Sequence, residues 1–244
     1  MNTLWRRTSL FLLCLIAESS FAQVHVGKYE LGIGGGVFVY QGDLTPSPLG
    51  SYRTLSPTAH LFANRIINRK FSVRGSLFYG GLSGDDAAYS TPDWRQQRAL
   101  KFHARNTELS ALLLYHPLGT ERKLYTYVFG GVGLAFTKIT RDWSNFNADY
   151  FMHENLEQLL NEDLARNPPK LLPVIPVGAG VRYALATRLS AFAETSYRLT
   201  RTDYIDGFSK VANPDMTDHY QSYTIGLVWS FGKRSLLDCP PIVQ

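Results

Sequence analysis

The chain has 244 residues, 45% of them hydrophobic and only 18% charged, with 14 Tyr, 14 Phe, 20 Gly and a formal net charge of +5. That length suits one large domain or two small ones, and the aromatic, Gly-rich, charge-poor make-up favours strands over helices. The slight positive charge, without interleaved aromatic and basic residues, excludes a nucleic-acid binder.

Residues 1–22 read as a secretory signal peptide. Arg6 and Arg7 precede an apolar run over 10–17, and small residues stand at Ser20 and Ala22 before Gln23. The run is too short for a membrane-spanning helix. Bulky Leu13 before Cys14 argues against a lipoprotein cleavage site, so Cys14 leaves with the peptide and Cys239 is the one thiol kept. The mature chain therefore has no internal disulfide. No later segment is apolar enough for a spanning helix, which leaves a soluble exported protein or a barrel.

Eight stretches alternate with period two, the mark of strands with two unlike faces. In residues 29–41, Leu31, Ile33, Val37 and Val39 oppose Glu30, Gly32, Gly34, Gly36 and Phe38. Around 58–64, Ala59, Leu61 and Ala63 oppose His60, Phe62 and Asn64. Over 71–83, Phe71, Val73, Leu77 and Tyr79 oppose Ser72, Arg74, Ser76 and Phe78. The fourth, 102–115, sets Leu109, Ala111, Leu113 and Tyr115 against Glu108 and Ser110. The fifth, 125–138, is rich in Gly and aromatics, and its faces stay open. The sixth, 176–185, sets Val177, Ala179, Val181 and Tyr183 against Gly178, Gly180 and Arg182. The seventh, 189–200, sets Leu189, Ala191, Ala193, Tyr197 and Leu199 against Ser190, Glu194, Ser196 and Arg198. The eighth, 220–231, carries Tyr223, Ile225, Leu227, Trp229 and Phe231 on one parity and small residues on the other.

Short links (65–70, 116–124, 186–188) alternate with long ones. Strict alternation over an even strand count predicts an all-β, eight-stranded antiparallel outer-membrane β-barrel with short periplasmic turns, long outer loops and both termini periplasmic. The barrel spans residues 23–232, and residues 233–244 form a periplasmic tail. Aromatics near strand ends fit two interfacial girdles: Tyr29, Phe71, Tyr115, Tyr125, Tyr183 and Phe231 on the turn side, and Tyr40, Tyr79, Phe136 and Tyr223 on the loop side. The competing reading is a soluble eight-stranded barrel of the lipocalin type, whose outer face would be polar. Within one long loop, residues 150–166 place Met152, Leu156, Leu159, Leu160 and Leu164 at helical spacing, and Pro168-Pro169 stops the run. Glu154, Glu157, Glu162 and Asp163 make its other face acidic, which predicts a lid over the mouth rather than a membrane anchor.

The inward parity collects Glu30, Arg74, Glu108, Arg182, Glu194 and Arg198. Eight strands enclose a lumen just filled by side chains, so these charges are expected to pair with one another rather than line a pore. No Ser, His and Asp spacing ties a catalytic set together: His103 stands near Ser83, Asp85 and Ser90 without a fixed relation, and His153 and His219 lie in other loops. His25, His60 and His116 read as polar fillers. Asp85-Asp86 and Asp203 with Asp206 lack the alternating-acid pattern of a calcium loop and read as turn and cap residues. The reading is a non-enzymatic barrel with no cofactor. The turn side gathers Arg65, Arg69, Lys70, Arg122, Lys123, Arg188, Lys233 and Arg234. These suit either anionic lipid headgroups or a periplasmic protein partner. Cys239 is free to bridge a second chain or to stay inert in the tail.

Several pieces in order resemble a family of small outer-membrane β-barrels of the Bacteroidota that includes a component of the type IX secretion machinery. They are Tyr29-Glu-Leu-Gly-Ile-Gly-Gly-Gly with Tyr40-Gln-Gly-Asp-Leu44, Arg74-Gly-Ser-Leu-Phe-Tyr-Gly with Leu82-Ser-Gly-Asp-Asp86, Glu108-Leu-Ser, Tyr127-Val-Phe-Gly-Gly131, and Thr202-Asp-Tyr-Ile-Asp206. The resemblance implies a barrel that ties a periplasmic ring, built from a lipoprotein and a soluble partner, to the outer membrane, with no catalytic residues. A surface-recognition barrel acting through its outer loops, a minor pore and a lipid hydrolase stay open beside it.

Overall fold

The structure, a computed structural model, describes residues 28–47, 49–200, 204–212 and 217–232. The leader, Asp203, Lys233, Arg234 and Cys239 lie outside the described residues. Eight strands follow one another: β1 (Tyr29–Gln41), β2 (Ser56–Ile66), β3 (Phe71–Asp85), β4 (Lys101–Tyr115), β5 (Leu124–Asp142), β6 (Leu171–Ala184), β7 (Leu189–Thr200) and β8 (His219–Phe231). Each pairs antiparallel with its chain neighbour, and β1 pairs with β8, so the sheet closes into a barrel.

The alternation read from the sequence has a physical outcome along every strand. β2 runs buried–exposed without a break from Ser56 to Ile66. Outward residues are apolar all round the wall, and Leu31, Ile33, Leu109, Val132, Ile225 and Trp229 each expose more than half their surface. A soluble barrel could not leave so continuous an apolar wall facing water. The lipocalin reading therefore falls, and the wall is that of a membrane-spanning barrel. No helix among the described residues is long and apolar enough to cross a membrane; the strands make the crossing.

Tyr29 stacks on Phe231 at 5.9 Å and Phe71 meets Tyr115 at 5.2 Å on the turn side of that wall. Two aromatics assigned to the girdles face the other way. Tyr40 and Tyr125 are buried inside. Their parity explains it: Tyr40 shares its face with Glu30 and Phe38, and Tyr125 shares its face with Tyr127 and Phe129.

Closure depends on close approach of backbone at the β1–β8 seam, where Gly34 faces Gly226. A Cβ on Gly226 would stand 2.1 Å from the Ile33 carbonyl oxygen and 2.5 Å from Gly34 Cα. Only glycine lets the first and last strands come this near.

The long loops close the opposite end from the short turns. They carry a 3₁₀ turn (Asp86–Ala88) and two helices, α1 (Trp94–Arg98) and α2 (Leu156–Ala165). Leu44, Leu100, Leu160, Ile205, Phe208 and Val211 from these loops share one core with Phe38, Leu82, Phe102 and Leu172 of the strands. The helix expected over 150–166 is shorter than its apolar spacing suggested. Met152 lies before it and is 69% exposed. Asp163, placed by its spacing on an acidic outer face, instead turns inward and is fully buried.

Candidate functional site

The lumen is filled in three layers. On the turn side, Arg182 Nη1 donates to Glu30 Oε1 at 2.6 Å, and Asn64 Nδ2 donates to Glu30 Oε2 at 2.7 Å. Arg74 Nε donates to Asn64 Oδ1 at 2.8 Å, and its Nη1 donates to Glu194 Oε1 at 2.6 Å. Tyr127 closes the chain by donating to Glu194 at 2.5 Å. The middle layer is aromatic: His60 stacks on Phe78 at 3.8 Å, and Phe62 meets Phe192 edge-on at 5.2 Å. The loop-side layer sets Arg198 Nε on Glu108 Oε2 at 2.9 Å, with Tyr220 donating to the same oxygen.

All six inward charges thus form three pairs: Glu30–Arg182, Glu194–Arg74 and Glu108–Arg198. Arg74 also lies 3.9 Å over the Phe62 ring and Arg198 4.5 Å over Phe78. The arginines therefore bind the polar layers to the aromatic one. Charged, aromatic and charged layers thus succeed one another along the lumen.

Above the lumen the cap has its own buried charges. Asp86, fully buried, accepts from Arg95 Nη1 at 2.8 Å and from Arg98 Nε at 2.6 Å. Both arginines also donate to the Asp43 carbonyl. Burial pulls the Arg95 pKa down, and the Asp86 carboxylate opposes that shift. Asp163 accepts the backbone N–H groups of Ser209 and Val211 at 3.1 and 2.9 Å. Arg141 donates to the carbonyls of Asp163 and Gly207 and so ties α2 to the last loop. The Asp86 ion pairs hold the β3–β4 loop together from within, while the bonds to Asp43, Ser209, Val211 and Gly207 join that loop and α2 to other segments.

Beneath the cap, the Tyr40 hydroxyl sits 2.8 Å from Asp206 Oδ2 and 2.7 Å from Asp218 Oδ1. A phenol has one proton, so it cannot donate to both. Asp218 Oδ2 already accepts the N–H groups of Ile205 and Asp206, which favours its ionised form. Burial and the charge of Asp218 push the Asp206 carboxyl well above the usual range. Of the two carboxyls, Asp206 is therefore the one that takes a proton first as pH falls, and in that state it donates to Tyr40, which donates to Asp218. Spacing alone suggested only a turn role for Asp206. That role is present, in the bond from Phe208 N at 2.8 Å, but the carboxyl pair was not visible.

At the other end, Arg65, Arg69, Lys70, Arg122, Lys123 and Arg188 are all exposed. The β2–β3 and β4–β5 turns are joined: Arg69 Nε meets Glu121 Oε1 at 3.0 Å, and His116 N donates to the Lys70 carbonyl at 2.8 Å. Lys123 lies 5.4 Å over the Tyr183 ring. Arg65, Lys70, Arg122 and Arg188 make no ion pair among the described residues. The result is a positive surface spread over three turns, two of them, β2–β3 and β4–β5, joined to each other.

Ser83 and His103 face each other in the β3–β4 register. The Ser83 hydroxyl is nevertheless engaged with Ser56 Oγ at 2.7 Å and the Thr54 carbonyl at 3.1 Å. Asp85 pairs with Lys101 at 3.3 Å and caps the 3₁₀ turn through Ala87 N, so it does not orient His103. Among the described residues no group of three His, Cys, Asp or Glu side chains converges on a point.

No protein-family model and no curated protein matches this sequence. Solved structures of outer-membrane barrels do resemble it in fold. Ail, the attachment invasion locus protein of Yersinia pestis, is 11% identical over 84% of this chain and 99% of its own, with a TM-score of 0.46. Neisserial surface protein A is 13% identical over the same shares, with a TM-score of 0.47. The outer-membrane enzyme PagL is 12% identical over 82% and 99%, with a TM-score of 0.39. An enzyme and an attachment protein both fall within this likeness. It speaks to the fold alone.

Proposed function

We propose that this chain is a sealed, non-enzymatic outer-membrane barrel that anchors a periplasmic assembly through its basic turn surface. The observation carrying this reading is the pairing of a side-chain-filled lumen with exposed cations at one end, most of them without an ion pair. Three internal ion pairs and an aromatic layer across the lumen support a sealed barrel over a pore. Lipid needs only a diffuse positive rim, whereas a protein partner needs particular charges held in register. The Arg69–Glu121 pair holds two turns as one such surface. The family resemblance would make the assembly a type IX secretion ring of lipoprotein and soluble partner.

The test is reversal of Arg69, Lys70, Arg122 and Lys123 to Glu, followed by purification from native membranes. A folded barrel that has lost its periplasmic companion, together with loss of secreted cargo, is the expected result. Unchanged companions and normal secretion would assign the rim to lipid. A second reading, recognition at the outer surface, draws on the exposed Trp143, Tyr150 and Met152 of the cap. Companions that survive the rim reversal and are lost on changing those three would favour it.

A further inference from the structure

The outward face of the barrel is not uniform near the loop end. Arg105 on β4 stands directly opposite Lys138 on β5, both exposed. Like charges facing each other across a ladder, with Cβ atoms about 5 Å apart, destabilise the sheet unless something negative lies between them. The nearby acids are engaged elsewhere: Asp85 pairs with Lys101, and Asp142 lies opposite that same lysine. Neither Arg105 nor Lys138 makes an ion pair among the described residues. Both lie one outward position, about 7 Å, beyond Thr107 and Phe136, in register with Tyr79 of the loop-side girdle. That is the level of a lipid headgroup.

Beside this pair an open groove of about 490 Å³ is floored by Gly35, Ala59 and Gly81 and bordered by Tyr79, His103 and Arg105. A second, of about 540 Å³, starts one outward position nearer the bilayer centre, between Ile33, Leu61, Leu77 and Leu109, over Ala63 and Gly75. The two lie end to end, from the level of Gly81 to that of Gly75, roughly 20 Å of wall at strand rise, with the Tyr79 and Leu77 side chains beside them. The fold does not require glycine at two of these floor positions. A Cβ on Gly35 would meet only the Thr58 carbonyl oxygen at 3.8 Å, and one on Gly75 would meet nothing within 4 Å. A side chain there would simply fill the furrow.

We propose that this face binds a lipid with a phosphate monoester headgroup, the phosphate held between Arg105 and Lys138 and an acyl chain lying in the furrow below. Two uncompensated cations match the charge of a monoester, roughly −1.5 to −2, better than the single charge of a phosphodiester. The site is on the wall of β1–β5 and does not depend on the anchor reading.

The test uses the full barrel, delipidated in detergent, and native mass spectrometry with phosphatidic acid, phosphatidylglycerol or inorganic phosphate. Wild type should retain phosphatidic acid about ten-fold more strongly than phosphatidylglycerol, and inorganic phosphate should not displace it. Arg105→Gln/Lys138→Gln should bring the two lipids level. Gly35→Leu should weaken retention with the charges intact, and an unchanged heat-modifiable band shows that each variant is folded. Equal retention of both lipids by wild type, wild-type behaviour of either variant, or displacement by inorganic phosphate would overturn the proposal.

Discussion

Glu108 and Arg198 meet across the lumen at 2.9 Å, and neither side chain has any exposed surface. They come from β4 and β7, which are not neighbours, so the pair braces opposite walls of the barrel. Such a pair costs much to break and little to replace whole, because removing one partner strands the other charge in a dry interior. Arg198→Met should therefore lower stability by about 3–5 kcal/mol. Glu108→Leu with Arg198→Met should recover most of that loss. Urea unfolding in detergent, followed by tryptophan fluorescence, reads both, and equal losses in the single and double variants would mean that the pair is not what Arg198 contributes.

The cap is expected to loosen as pH rises. The Asp206 carboxyl has a raised pKa in the folded protein, so the unfolded chain releases this proton first. Its contribution to stability is complete below an ordinary carboxylate pKa of about 4 and is lost as pH climbs through the raised folded value. Hydrogen exchange over residues 204–212 should speed up across that window. Asp206→Asn, whose amide can donate to Tyr40 at every pH, should flatten the dependence. The same slope in both proteins would count against a shared proton.

Sealing is expected to be redundant. Asp86→Ala would leave Arg95 and Arg98 buried without their carboxylate, and residues 86–100 should become protease-sensitive. Planar-bilayer recording should still show no steady conductance, since the Arg74–Glu194 layer and the His60–Phe78 stack lie below the cap. A stable open level in this variant would mean that the cap alone closes the barrel.

On the wall, Leu227→Arg should impair insertion, because a charge facing mid-bilayer lipid costs about 2–4 kcal/mol. Thr224→Ala should be mild, since Thr224 points inward and is buried. Heat-modifiability on gels distinguishes the two. Similar effects at both positions would contradict the faces of β8.

The strands were legible because an inward Arg or Glu set between small residues, opposite large apolar neighbours, fixes the parity; Arg74 on β3 and Arg198 on β7 are examples. Which acid meets which arginine was not legible, since register and barrel stagger, rather than local pattern, bring Glu194 to Arg74. The start of β6 was missed because Pro173 and Pro176 look like strand breakers. They sit within the strand, and the β5–β6 ladder skips the pairs between Gly130–Val177 and Gly133–Val174. Most of the cap was invisible. Asp86 finds its arginines 9 and 12 residues away through a helix of only five residues, too short for any periodic signal.

The Gly34–Gly226 seam also bears on how the molecule is made. The strand that completes the barrel is the last to be synthesised, and its partner is the first. Until they meet, each offers a row of unpaired N–H and C=O groups to any passing sheet. At Gly34 and Gly226 that edge is also bare of side chains, so a foreign strand could approach it as closely as the proper one. An insertion machine would have to hold both edges apart until β8 arrives, and Gly226→Val would obstruct that last closure.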